Sequence, residues 1–203
     1  MNKNLKTFLI VLCAIVLVSF LIFKVIEYKN EKENELNYLT IEDFTKTEID
    51  GKTILENKDI GLKFAVPQGW ETGSSYWSNI SLVSPDFEPL RNDPTAAPLP
   101  QKGCWIDVVF SLNSAHGISY DFVSNLINIE GYLDSYNKEG KHYKIVTVGG
   151  LNAIKETIDE DYMLVRVPFK KNGIISFETY LVGQDKERCL EEFNSFINSV
   201  YIY

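Results

Sequence analysis

Residues 143–182 read YKIVTVGGLNAIKETIDEDYMLVRVPFKKNGIISFETYLV, and four extended segments follow one another in this run. β-Branched and aromatic residues fill 143–148, 151–158, 162–168 and 173–182, a composition that suits a half-buried pleated surface. The breaks between them carry turn residues: Gly149-Gly150, Asp159-Glu160-Asp161 and Lys170-Lys171-Asn172-Gly173. Connections of hairpin length join antiparallel neighbours. The run predicts an antiparallel meander at the centre of an α+β fold.

Working outward, residues 53–57 and 61–66 flank Lys58-Asp59-Ile60 as another hairpin. Leu62, Phe64 and Val66 alternate with Lys63 and Ala65, so one face of the second strand is buried. Pro67 stops that ladder, and Gly69-Trp70 follow in a turn. Residues 80–83 read as a short strand, and 104–112 (CWIDVVFSL) as one apolar enough to be covered on both faces. Between them, from Pro85 to Pro100, stand five of the chain's seven prolines, which predicts a long surface loop. Ser119 is an N-cap candidate for a helix carrying Phe122, Leu126, Ile129 and Leu133 on one stripe, with Gly131 as its weak point. Asp185 is the corresponding candidate for a last helix, reaching about Val200, with Leu190, Phe193, Ile197 and Val200 facing the sheet.

At the other end, residues 8–26 are apolar apart from Ser19 and Lys24. About 19 residues of helix span roughly 28 Å, close to the thickness of a bilayer's hydrocarbon core. Residues 1–7 carry two lysines and no acid, so the amino terminus is expected in the cytoplasm and everything after about Tyr28 outside. The run ends in bulky Phe20-Leu21-Ile22-Phe23, with no small-residue cut site, which favours an uncleaved anchor over the competing reading, a cleaved leader. Cys13, within the span, reads as a small apolar filler. Residues 27–52 form a polar stalk and linker, with a turn signal at Asp50-Gly51. The expected organisation is therefore a cytoplasmic tail (1–7), a transmembrane helix (8–26), the linker (27–52) and one extracytoplasmic domain (53–203).

From Tyr38 onward 15 basic and 24 acidic residues leave a net charge of −9. Such a surface repels nucleic acid, so no nucleic-acid partner is expected. Two cysteines lie beyond the anchor, Cys104 and Cys189. In an oxidising compartment they are a candidate disulfide; the alternative is two buried thiols.

The run Asn57-x-x-x-Gly61-x-x-Phe64-x-x-Pro67-x-x-Trp70 resembles the opening of the PsbP-like superfamily, a hairpin whose second strand ends in a proline and a tryptophan. The glycine-turned strand pair at Val148-Gly149-Gly150-Leu151-Asn152-Ala153 and the final helix are similar to later parts of that fold. The resemblance covers residues 53–203 and implies an α/β/α sandwich, mainly an antiparallel sheet covered by helices. It implies no shared catalytic set. Among the places such domains occur, the bacterial envelope is the one that the anchor fits.

Candidate chemistry is sparse. The two histidines, His116 and His142, lack the company of a zinc site. His116 near Ser114 or Cys104 is the one conceivable nucleophile–base pairing, and a surface loop is the plainer reading. Asp159-Glu160-Asp161 lacks the spacing and glycine of a calcium loop, Gly149-Gly150 sits between strands where a phosphate loop needs a helix N-terminus, and Asn79-Ile80-Ser81 is a glycosylation sequon. No catalytic, metal or cofactor-binding residue is nominated. The Pro-rich loop, with Phe87, Leu90, Ala96, Ala97 and Leu99, offers a stiff contact segment for a partner. The leading expectation is a noncatalytic single-pass membrane protein, held in the bilayer through residues 8–26, whose outer domain binds or helps assemble an envelope component. The alternatives are a small-ligand or sensory module, and an envelope hydrolase built on His116.

Overall fold

The computed structural model describes residues 16–25, 39–74, 79–90, 99–112, 114–115, 118–119, 123, 125, 127, 141–158, 161–169 and 173–203. The chain divides into two units, Met1–Leu36 and Asn37–Tyr203. In the first, residues 16–25 are helical, and their large apolar side chains are exposed, from 54% at Val18 to 63% at Phe23. Among the described residues no helix is long and apolar enough to cross a membrane; residues 8–15 and 26 of the expected span lie outside them.

The second unit begins earlier than the linker reading placed it. After a 3-10 turn at Ile41–Asp43 come β1 (Thr45–Ile49), β2 (Lys52–Asn57), β3 (Leu62–Ala65), β4 (Glu71–Gly73) and β5 (Ile80–Val83). The short strands β6 (Glu88–Pro89) and β7 (Pro100–Lys102) precede β8 (Trp105–Leu112), β9 (Ser114–Ala115) and β10 (Ile118–Ser119). The meander follows as β11 (Lys141–Val148), β12 (Leu151–Ile158), β13 (Tyr162–Phe169) and β14 (Gly173–Tyr180), then a helix, Lys186–Ser199, and β15 (Tyr201–Ile202). Strand β1 pairs with β2 through all five of its residues, Thr45 opposite Glu56 to Ile49 opposite Lys52. Residues 45–49 thus belong to a sheet and not to the linker, because Asp50-Gly51 folds them back.

Two sheets carry the domain. One has seven strands in the order β11-β12-β13-β14-β8-β5-β4, and the other four in the order β1-β2-β3-β15. Every paired strand in both is antiparallel to its neighbour, as the short turns require. The strand register places Ile106, Val108, Phe110, Val165, Val167, Ile175 and Phe177 on one face of the large sheet, all of them buried. The C-terminal helix packs there. Phe196 meets Phe177 edge-on at 5.7 Å and Phe64, from the small sheet, at 5.4 Å, so one ring joins helix and both sheets. Phe44 extends the cluster to Phe64 at 5.9 Å and to Phe110 at 6.2 Å.

The helix differs from expectation in two ways. Its buried residues are Cys189, Phe193, Phe196 and Ile197; Leu190 is only half-buried. A helix wedged between two sheets buries a wider stripe than one lying on a single sheet. Asp185 stands at the N-cap but makes no side-chain cap bond; its carboxylate accepts from the Gly103 N–H at 2.9 Å instead. The predicted stripe Phe122, Leu126, Ile129 and Leu133 lies outside the described residues; of those described nearby, Val123 is helical and buried, and Ser119 lies in β10. Trp70 is half-buried at its turn.

The last strand is held by close backbone approach. A Cβ on Gly61 would come within 2.1 Å of the Tyr203 carbonyl oxygen, and one on Gly149 within 2.7 Å of the Ile202 nitrogen. Both glycines have positive φ, 72° and 57°, so shape and conformation exclude a side chain at each.

Cys104 and Cys189 form a disulfide with Cα atoms 5.2 Å apart, at a sequence separation of 85. It joins the entry of β8 to the first turn of the helix. In the chain-entropy model such a loop contributes about 4 kcal/mol. Urea unfolding of the full-length protein, followed by circular dichroism, should show that loss for Cys104→Ser and for Cys189→Ser, and reductant should lower the wild type to the same level while leaving both variants unmoved.

Candidate functional site

The opposite face of the large sheet is built differently. Turn lengths fix the register, and the register puts Ile154 opposite Arg166, Glu156 opposite Leu164, Arg166 opposite Ser176, Leu164 opposite Glu178, and Glu178 opposite Asp107. Asp107 in turn faces Ser81 on β5. A band of polar groups therefore crosses β12, β13, β14, β8 and β5 on a single face. Glu156, Arg166, Ser176, Glu178 and Asp107 are all buried, none more than 5% exposed.

Each acid in the band accepts from a neighbouring strand. Glu156 receives the Arg166 guanidinium through Oε2 and the Tyr143 hydroxyl through Oε1, the latter at 3.1 Å. Glu178 Oε2 accepts from the Tyr162 hydroxyl at 2.5 Å, and Asp107 Oδ1 from the Ser81 hydroxyl at 2.7 Å. A buried charge is tolerated only when paired and hydrogen-bonded, and this face meets that requirement mainly from within the sheet. Arg166 Nε and Ser176 Oγ, on directly opposed residues, are among the exceptions, with no hydrogen-bond partner. Three rings close one end of the band: Tyr162 stacks on Tyr180 at 4.5 Å, and Tyr180 on Trp105 at 5.5 Å. Burial, and next the negative charge of Glu178, push the Tyr162 phenol well above its ordinary range. Tyr180 is raised for the same leading reason, with Glu178 and then Asp107 adding to it.

Proton transfer to a substrate needs a titrating group that a substrate can reach, and these side chains are enclosed and bound to one another. Among the described residues no group of three or more His, Cys, Asp or Glu side chains is placed to hold a metal ion.

The residues singled out in the sequence are scattered. Cys104 and Cys189 come together as the disulfide. His116 lies outside the described residues, and His142 is exposed on β11. Asp159 and Glu160 also lie outside them, whereas Asp161 is exposed and ion-paired with Lys186 at 3.2 Å. Asn79 uses its amide within the fold: Oδ1 accepts from the Phe110 N–H at 2.7 Å and Nδ2 donates to the Leu39 carbonyl at 2.7 Å. A glycan on Nδ2 would compete with the second bond. In the Pro-rich segment, β6 and β7 pair and Leu90 N–H donates to the Leu99 carbonyl at 2.7 Å, so the base of the loop is a small hairpin. Leu90 and Leu99 are exposed, Phe87 is half-buried, and Ala96 and Ala97 lie outside the described residues. The band itself was missed. Its one sequence signal was Asp107, an acid amid the otherwise apolar CWIDVVFSL.

No protein-family model and no curated protein matches the chain. Among solved structures it is similar to the cyanobacterial PsbP (CyanoP) of Synechocystis sp. PCC 6803, with 10% identity over 77% of this chain and 95% of that one and a TM-score of 0.39. It is also similar to LpqN, a protein involved in cell envelope biogenesis of Mycobacterium tuberculosis, with 13% identity over 80% and 94% of the two chains and a TM-score of 0.41. At these values neither protein's role carries over, and the chain's own residues bear the functional reading.

If the band is a structural device, its members should depend on each other. Arg166→Met, which leaves Glu156 buried without its cation, should cost about 3–5 kcal/mol in urea unfolding, and the joint Arg166→Met/Glu156→Leu variant should recover most of it. The raised Tyr162 pKa has its own signature. The folded chain keeps this proton where the unfolded chain starts to lose it, so the contribution is complete below about pH 10 and is lost as the pH rises beyond that. Stability measured from pH 8 to 11.5 should therefore fall more steeply in the wild type than in Tyr162→Phe.

Proposed function

We propose that this chain is a membrane-held, noncatalytic binding protein whose domain stands on the outer side of a cell membrane and engages an envelope partner. The observation that carries the reading is the disulfide: two cysteines, each 1% exposed, joined in the core of the domain. Such bonds persist in oxidising compartments and are rare in the cytosol. The apolar run at 8–26, with its basic amino-terminal flank, supplies the means of attachment and the orientation. The exposed apolar side chains of residues 16–25 fit a lipid environment better than water.

Binding, rather than catalysis, is favoured by where the polar chemistry lies. The ionisable cluster of the large sheet is enclosed and internally bonded, whereas the outer face of the small sheet carries surface suited to contact. Tyr201 and Tyr203, 58% and 57% exposed, lie with their rings 5.7 Å apart beside a shallow groove of about 320 Å³ lined by Ile54, Lys63, Ala65, Ser199 and Tyr201. Exposed tyrosines with an apolar neighbour are typical of protein contact surfaces.

Topology is the decisive test. In cells whose cytoplasmic membrane is intact but accessible from outside, added protease should digest the domain, and Cys104 and Cys189 should resist alkylation until reductant is supplied. A domain protected from protease, with both thiols reactive, would sink the proposal. A photo-crosslinking residue at Tyr201 should then join the chain to an envelope protein, and one at the buried Phe177 should not.

A further inference from the structure

Strand β1 is an edge strand, and all five of its residues, Thr45-Lys46-Thr47-Glu48-Ile49, are exposed. An edge presents unpaired N–H and C=O groups to any strand that fits it. Which groups these are follows from the turn. Asp50 and Gly51 both have positive φ, 50° and 74°, as in the two-residue turn that closes tight hairpins. Ile49 and Lys52, which flank it, then form the first hydrogen-bonded pair. Antiparallel pairs alternate, so Thr47 with Ile54 and Thr45 with Glu56 are the next two. The main-chain groups of Thr45, Thr47 and Ile49 are thus turned toward β2. Those of Lys46 and Glu48 are turned outward.

We propose that β1 is the contact strand of a two-fold dimer, pairing antiparallel with β1 of a second copy about an axis through Thr47. In that register Lys46 of each copy lies opposite Glu48 of the other, and the two residues exchange main-chain hydrogen bonds, four in all. Thr47 faces its own copy in the closer, non-hydrogen-bonded position, and Thr45 faces Ile49. Threonine pairs and opposite charges are favourable directly across strands. The charges also select the register. The outward groups permit only two other antiparallel alignments, one setting Lys46 against Lys46 and the other Glu48 against Glu48, and like charges directly opposite are unfavourable. Glu48 Oε1 accepts from the hydroxyl of Thr53, its opposite residue on β2, at 2.6 Å, so its carboxylate leans toward β2 and, in the dimer, turns outward to meet the incoming lysine. No proline or bulge blunts β1, two of the protections found at edges left to solvent; a third, charged side chains, is present as Lys46 and Glu48, which in the dimer become the pairing groups. The proposal commits to a second copy because the strand is complementary to itself under the symmetry that isologous dimers use. It does not depend on the functional reading above.

Cysteine crosslinking of the full-length protein in its own membranes tests it, in a Cys13→Ser background so that no other free thiol intervenes. Oxidised Thr47→Cys should run at twice the monomer mass, since closely opposed strand residues fall within disulfide reach. Thr45→Cys alone should not, because its copy lies about 14 Å away along the strand. Adding Lys46→Glu to Thr47→Cys should cut the crosslinked fraction about tenfold, and the exchange K46E/E48K should restore it. Lys46→Pro removes an outward N–H that the monomer does not use, so it should abolish the crosslink with unchanged circular dichroism. No dimer from Thr47→Cys, equal yields from Thr45→Cys and Thr47→Cys, failure of the charge exchange to rescue, or a product of any other mass would overturn the proposal.

Discussion

The fold is clamped at one point, where the entry to β8 meets the start of the C-terminal helix. The Cys104–Cys189 bond is the covalent part. Around it, Cys104 and Ser84 exchange bonds, the Cys104 N–H donating to Ser84 Oγ at 2.8 Å and the Ser84 N–H to the Cys104 carbonyl at 2.9 Å. Ser84 Oγ in turn donates to Asp86 at 2.8 Å, and Arg188 pairs with both Asp86 and Asp185. The Ser84 hydroxyl and then Arg188 hold the Asp86 carboxyl below its usual range. This knot anchors the helix at its first turn, while Phe196, two turns on, plugs it between the sheets. A helix held at both places cannot slide along the sheet.

The two faces of the large sheet divide the remaining work. One is apolar and takes the helix, so its cohesion is the removal of hydrocarbon and aromatic surface from water, which is strong but undirected. The other carries a crossed lattice of acids, one arginine and three stacked rings. That lattice adds little net stability, because desolvating charge offsets most of what pairing returns. It penalises misalignment instead: a slip of one residue between β13 and β14 would send Glu178 into the aromatic core and Phe177 onto the charged side. We regard the band as a register device, and this explains why it is enclosed.

How much of this could be read from the chain varies by element. The meander was legible nearly to the residue, since β12 was expected at 151–158 and is found at Leu151–Ile158; strong β composition between glycine turns leaves few alternatives. Strand β1 was not, because TKTEI is polar on both faces and five exposed residues carry no periodic signal. Only its pairing with β2 reveals it. Phe196 was overlooked because a stripe chosen for one sheet omits the residue that faces a second. Apart from Asp107, the charged band was hidden for a plainer reason: a single acid or base on a strand looks the same whether that side meets water or protein.

The antiparallel meander, the C-terminal helix and the apolar amino-terminal run are written in the chain itself, because side-chain period and turn chemistry act over a few residues. Tertiary structure alone decided which faces are enclosed, which two cysteines become neighbours at a separation of 85, and that β1 lies at the edge of its sheet. Those outcomes depend on which surfaces meet once the chain is compact, and no local pattern encodes that.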